Sequence, residues 1–406
     1  MRLTAGALAL AVAATGLAGQ ALAASSKKTE LSVAKGEIAE AQIVDVAIDV
    51  FAPGVSDAPP SPMLQKGIRS AVRKSEARYM PIHLRNTLQS SGQWGEVRVV
   101  PGGASWAELL VTGQIEKSNG KDLQLEVRAT DALGRVWLER VYSQGADTAA
   151  YAKDRPVDGR DPFQPLYNRI ANDLVKARTR RSPKELQAAR DVASLRFAAE
   201  MSPDPYAAYL AIDSKGRSKL VRLPAQDDPM LLRVSAIRER DHMFVDTLNE
   251  FYDDFYARMD RPYDDWRAYS YEEQRALDGV NRASLLKKII GAVAVLGGIL
   301  IDPREDMGGV KDVMILGGIA AINAGFEDAK DAGIHKAALS ELADSFEGEL
   351  TPLLVDVDGR VVQLTGSAEV QFQAWRALLH EIAATDAPLP ADINLVPMAP
   401  AETVKP

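Results

Sequence analysis

There is no cysteine among the 406 residues of this chain. That absence excludes disulfides, thiolate metal sites and a cysteine nucleophile, and leaves packing to supply the stability. Histidine is scarce as well. His83, His242, His335 and His380 are scattered, with no two at ligand spacing on one expected element, whereas zinc needs three or four close ligands. We therefore expect no metal and no cofactor. No apolar run reaches the ~18–20 residues that a single membrane-spanning helix requires. A basic excess is also missing: the net charge is −8 and the isoelectric point about 5.3, which argues against nucleic acid as a partner.

Catalytic signatures are incomplete wherever they begin. Ser284-Leu285-Leu286-Lys287 has the Ser-x-x-Lys spacing of serine acyl-transfer enzymes without its companion motifs. Ser105, in Gly103-Ala104-Ser105-Trp106-Ala107, lacks the second glycine of a nucleophile elbow. Gly308-Gly309-Val310-Lys311 falls short of a phosphate loop, and Asp356-Val357-Asp358-Gly359 lacks the later ligands of a calcium loop. The balance favours a protein that is not an enzyme.

What is present starts with a leader. Met1-Arg2, the apolar stretch Leu3 to Leu17 and the small-x-small Ala21-Leu22-Ala23 read as a signal peptide, residues 1–23, cleaved near Ala23. The expected destination is the periplasm, as a soluble protein or one peripheral at a membrane. With no cysteine after the leader, no lipid anchor is expected.

Residues 40–180 read as an α/β unit. Val44, Val46, Ile48 and Val50 alternate with Asp45 and Asp49, the pattern of a half-buried strand. Leu64 to Leu88 has helical spacing with a restart at Pro81, and Gly92 ends it. Glu96 to Val100, Glu108 to Ile115, Leu123 to Thr130 and Val136 to Tyr142, separated by turns at Ser118-Asn119-Gly120 and Asp131 to Gly134, predict a β-meander. Phe163 to Arg178 is a helix that would cover the sheet.

This succession, with Ser91-Gly92-Gln93-Trp94 before Val97-Arg98-Val99-Val100 and then Ala107 to Ile115 running through Thr112-Gly113, resembles a known periplasmic α/β domain. It is similar to the domain shared by curli-secretion lipoproteins, penicillin-binding-protein activator lipoproteins and the N-terminal domain of the Tol-system translocation protein. The resemblance covers about a third of the chain. It implies a docking or assembly module without catalytic residues, whose partners are other envelope proteins. The missing lipobox cysteine is a departure from that pattern.

After a basic link at Arg178 to Lys184, residues 183–283 predict a helical domain. Phe244, Leu248, Phe251, Phe255 and Met259 form one stripe, and Pro262 is expected to end that helix. The segment 251–273 is the candidate ligand site, because Tyr252-Asp253-Asp254 is echoed by Tyr263-Asp264-Asp265 and followed by Trp266. Aromatic faces beside carboxylates suit sugar rings, and paired carboxylates suit glycoside hydrolysis. The plainer alternative is that the rings pack the domain while the acids face water.

Residues 284–346 predict a helical hairpin rich in glycine. Leu-Gly-Gly-Ile occurs at Leu296 to Ile299 and again at Leu316 to Ile319, and Gly291, Gly298, Gly317 and Gly325 fall at helical spacing suited to close packing. The charged link and Asn323 favour a buried pair or a homo-oligomer interface over membrane contact through 289–324. Residues 350–385 predict a β-hairpin about Asp358-Gly359, then a helix capped by Ser367 with Phe372, Trp375, Leu379 and Ile382 on one face. The five prolines from Pro388 to Pro406 predict a disordered tail over 386–406. The expected class is α+β. The expected role is assembly or transport of an outer-membrane or cell-wall component through protein contacts. Peptidoglycan or polysaccharide binding, or hydrolysis, by segment 251–273 is the alternative.

Overall fold

The computed structural model describes residues 29–54, 66–151, 161–206, 208–225, 227–296, 353–357, 360–384 and 395–397. The leader lies outside them, as do Gly298, Gly317 and Gly325. Gly291 falls on described helical backbone.

Alternation in the first half builds a five-stranded mixed sheet. The strands are β1 (Val46–Asp49), β2 (Val97–Val100), β3 (Leu109–Ser118), β4 (Asp122–Asp131) and β5 (Val136–Gly145). They lie in the order β2-β1-β3-β4-β5. Strand β1 is parallel to both β2 and β3, while β3, β4 and β5 form the expected antiparallel meander. A parallel β1–β2 pair needs a long crossover. Helix α1 (Lys66–Ser90) supplies it.

One face of the sheet is apolar because every second residue is. Val46, Ile48, Val111, Leu125 and Val127 meet Met80, Leu84 and Leu88 of α1 and Leu166, Ile170 and Leu174 of α2 (Gln164–Thr179). Each such side chain contributes about 1.5–3 kcal/mol by leaving water. On the other face of the meander Gln114, Arg128 and Glu139 are exposed, the expected pattern for an antiparallel sheet open to solvent on one side.

Pro81 does not restart the helix: α1 runs through it. A proline removes the donor to the carbonyl four residues back, here Ala77. The N–H of Phe51, just beyond β1, donates to that carbonyl at 2.9 Å. The break in the helical ladder thus becomes the point that ties strand to helix. The Phe51 ring in turn lies on Gly113, where any Cβ would come within 2.7 Å of it. That close approach accounts for the glycine in Thr112-Gly113.

The second half packs on this unit. Helix α3 (Pro183–Met201) starts at a capping box between Ser182 and Glu185. A single turn, α4 (Pro203–Tyr206), and a small hairpin of β6 (Leu210–Ile212) and β7 (Ser218–Leu220) follow. Helix α5 (Pro229–Leu296) is 68 residues long and passes through Pro262, which does not end it, and across the position expected to open a separate hairpin unit. The C-terminal part gives β8 (Leu353–Val357), β9 (Arg360–Leu364) and helix α6 (Ala368–Ala384). Leu395–Pro397, in the tail expected to be disordered, forms β10 and pairs antiparallel with β8.

The buried stripe of α5 is Phe244, Leu248, Tyr252, Phe255, Met259 and Tyr263, at steps of three and four. Phe251, expected at its centre, is only partly buried; Tyr252 takes that place. This stripe, Leu195, Phe197 and Ala198 of α3, and Phe372, Trp375 and Leu379 of α6 share one core with Ala47, Tyr79, Ile82, Val99 and Val100 of the first unit. The fold is α+β, with apolar packing continuous across the link at 180–182. No described helix is long and apolar enough to cross a membrane.

Candidate functional site

The Tyr-Asp-Asp repeat spans eleven residues, close to three helical turns, so its two copies fall on the same sides of α5. Tyr252 and Tyr263 both point into the core and are fully buried. Neither offers a ring face to a ligand, which corrects their place in the candidate site. Asp253 is exposed and receives a hydrogen bond from Arg85 of α1. Asp254 is exposed, Asp265 half-buried, and Trp266 half-buried with its ring stacked on Tyr263 at 5.9 Å. Asp264 accepts from Arg267, one turn further on.

Arg267 is the centre of this region. Its guanidinium is buried, donates to Asp161 Oδ2 at 2.6 Å as well as to Asp264, and lies 4.2 Å from the Tyr263 ring centroid and 6.0 Å from that of Tyr79. Aromatic faces around a cation form a recognised cage. Here the occupant is the chain's own arginine. Burial is the largest single influence on the Asp161 carboxyl and by itself would raise it, but the Arg267 charge, the nearby His83 ring and the hydrogen bonds from Arg267 and the Phe163 N–H together hold the group below the usual range. Beside it, fully buried Glu76 accepts from Ser118 Oγ at 2.6 Å and Tyr263 Oη at 2.8 Å. The β3–β4 turn seats against this part of α5 through Gly120, whose φ is +74° and whose missing Cβ would stand 2.3 Å from the Arg267 carbonyl oxygen.

His83 completes the cluster. Burial lowers its pKa, so the ring is neutral at pH 7. Gln164 gives its amide donors to Thr87 and Asn168 and turns Oε1 toward His83 Nε2 at 2.9 Å. Nε2 therefore carries the hydrogen, and Nδ1 accepts from Tyr256 Oη at 2.6 Å. The ring also packs on Tyr167, 4.4 Å between centroids. These bonds fasten α1, α2 and α5 to one another.

A second polar cluster lies nearer the start of α5. Asp241 is fully buried and accepts from Trp375 Nε1 at 3.1 Å and Arg376 Nη1 at 2.7 Å, both on α6. Arg376 also reaches Glu200 of α3 and Ser105 Oγ at 3.4 Å. Burial raises the Asp241 carboxyl, and the attraction of Arg376 only partly opposes that. His242, edge-on to Trp106 at 4.6 Å, is pushed down to about 4 by burial and then by Arg98 and Arg238. His380 lies 3.8 Å from Glu200, and His335 is outside the described residues.

Between the clusters, Asn249 treats β2 as a neighbouring strand would. Its Oδ1 accepts from the Val99 N–H at 2.9 Å and its Nδ2 donates to the Val99 carbonyl at 2.9 Å. An edge strand with unpaired backbone groups invites foreign strands. Asn249 closes this one. Sequence reasoning found the tyrosines through their spacing but missed Arg267, Asp161, Asp241, Arg376 and Asn249. Their partners lie more than 100 residues away, and nothing local marks them.

Among the described residues no group of three or more potential ligands is placed to hold a metal ion. Neither a family model, nor a curated protein, nor a solved structure matches this chain.

Proposed function

We propose that this is a non-enzymatic protein of the cell envelope, exported to the periplasm, that works in assembly or transport of an outer-membrane or cell-wall component through protein contacts. The observation that carries the reading is helix α5. At 1.5 Å per residue its 68 residues extend about 100 Å, some three times the diameter of a small domain. About its first two-thirds, from Val234 through Phe244, Leu248, Tyr252, Phe255 and Tyr263 to Gln274, is held against the body, and the remaining stretch, about 33 Å at 1.5 Å per residue, continues into the apolar, glycine-bearing run that starts at Ile289. A clamped helix of that length suits reaching a partner better than enclosing a substrate. The order of strand, helix, strand and meander in residues 46–145 supports the likeness to the periplasmic docking domain.

Photo-crosslinking from Arg258 and Arg261, both exposed on α5, in intact cells tests the reading. Discrete adducts with other envelope proteins are expected. The mature chain, incubated with purified peptidoglycan sacculi, is expected to release no soluble fragments. Release by the wild-type chain that is lost in Asp254→Asn would overturn the proposal in favour of hydrolysis by the 251–273 segment.

A further inference from the structure

We propose that the β6–β7 hairpin, with the segment leading into α5, is a docking site for an anionic lipid surface. The inference concerns a different surface from the proposed function and does not depend on export.

Its geometry follows from the strand register. Leu210 pairs with Leu220, and this couple packs against the body beside Ala132, Val192 and Ala193. Ala211 and Lys219 form the next pair and are exposed. Ile212 shares a face with Leu210 but stands 67% exposed, so it overhangs the body instead of packing on it. Just past the hairpin, Val221 is 58% and Leu223 56% exposed, and Leu232 in the first turn of α5 is 60% exposed. With Met230, these make five of the ten large apolar side chains exposed among the described residues, within 21 positions of chain. Scattered apolar residues need no explanation, but a concentration of this kind marks a contact surface.

The charge on this surface is opposite to that of the chain. Between Tyr209 and Leu232 the hairpin and the segment leading into α5 carry Lys215, Arg217, Lys219 and Arg222 against Asp213, Asp227 and Asp228, a net +1, whereas the whole chain carries −8; the four cations are concentrated in residues 215–222. Asp213 is engaged by Arg217 at 2.8 Å, and Asp228 caps α5 by accepting from the Met230 N–H at 2.9 Å. Arg222 lies over the Tyr209 ring at 4.8 Å. Lys215 and Lys219 make no ion pair among the described residues.

Exposed aliphatic tips flanked by cations match a bilayer surface, where phosphates meet the lysines and the acyl boundary takes up the aliphatics. A peptide partner would call for a groove or a free strand edge. The strands of this two-stranded sheet are each only three residues long, too short an edge to seat an added peptide strand, and what the hairpin presents is projecting side chains.

The test is flotation of the purified mature chain with vesicles of phosphatidylglycerol and phosphatidylcholine, against phosphatidylcholine alone. Binding should be confined to the anionic vesicles and fall with salt. A Lys215→Gln, Lys219→Gln double variant should bind about thirty-fold more weakly, from roughly fivefold per cation near an anionic surface. Because the chain has no cysteine, Ile212→Cys can carry a single environment-sensitive fluorophore. Its emission should shift to the blue on anionic vesicles, while the same label at Met243→Cys, also at an exposed site, should not respond. Undiminished flotation of the double variant would place membrane contact elsewhere, in 289–324 for example, and overturn the proposal. So would an unresponsive label at 212, or salt-sensitive binding to polyglutamate without vesicle binding, which would make the partner an acidic protein.

Discussion

Helix α5 is fastened by two buried ion clusters that look alike and are balanced in opposite ways. Around Arg267 a buried cation from α5 faces two carboxylates, Asp161 and Asp264, and Asp161 is held in its charged form. Around Asp241 a buried carboxylate from α5 faces Arg376, which divides itself between Asp241 and Glu200, and the Asp241 carboxyl is driven toward its neutral form. A buried ion pair is not stabilising by default, because desolvation opposes attraction. In the first cluster attraction wins for the acid; in the second, burial does. The first ties the helix to the N-terminal unit and the second ties it to α6.

The sharpest way to break this contrast is to remove the cation of the first cluster. Arg267→Met leaves Asp161 buried without its counter-charge and takes the guanidinium from the faces of Tyr263 and Tyr79. A loss of about 3–5 kcal/mol is expected, read by urea unfolding. A loss below about 1 kcal/mol would mean that the cluster is neutral in the folded state.

Asn249 stands between the clusters and holds the helix by uncharged bonds. Asn249→Leu keeps much of the volume but strands both Val99 backbone groups. At about 1–3 kcal/mol for each unsatisfied group, partly relieved by water, a loss of roughly 2–4 kcal/mol is expected. The variant should also expose the β2 edge to pairing, visible as concentration-dependent association in sedimentation. Lost stability without association would leave Asn249 a packing role alone.

The sheet was legible because its chemistry is local. Alternation at Val44 to Val50 marked β1, and alternation at Leu123 to Thr130 with the turn at Ser118-Asn119-Gly120 already placed the meander. Helix interiors were legible for the same reason, but their ends were not. Pro81 and Pro262 read as breaks, since a sequence does not show which distant donor will use a freed carbonyl; for Pro81 that donor is the Phe51 N–H. The candidate site failed on a related point. Spacing placed Tyr252 and Tyr263 on one face of a helix, but whether that face met water or core was decided by α1, the β3–β4 turn and Asp161, 90 or more residues upstream of the segment. A polar tyrosine reads as surface until its hydroxyl has a buried partner, and for Tyr263 that partner is Glu76.

The smallest effect is also the most specific. Asp241→Asn keeps an acceptor for Trp375 and leaves Arg376 with Glu200, so the lost attraction is offset by the removed cost of burying a charge. At pH 7 the variant should lie within about 1 kcal/mol of wild type. The pH profile carries the information. A carboxyl whose folded pKa is raised binds its proton more tightly in the folded state, so wild type should lose stability relative to Asp241→Asn as pH rises from the unfolded value near 3.8 through the raised one. Asp161, with its folded pKa lowered, has the opposite sign. Its contribution is fully present above 3.8 and is lost as pH falls through the lowered value, so wild type should lose stability relative to Asp161→Asn only on acidification. Urea unfolding of the three proteins between about pH 3 and pH 7 reads both slopes. Two differences running in the same direction would show that the clusters are balanced alike, and that the number of carboxylates facing each arginine does not decide which force wins.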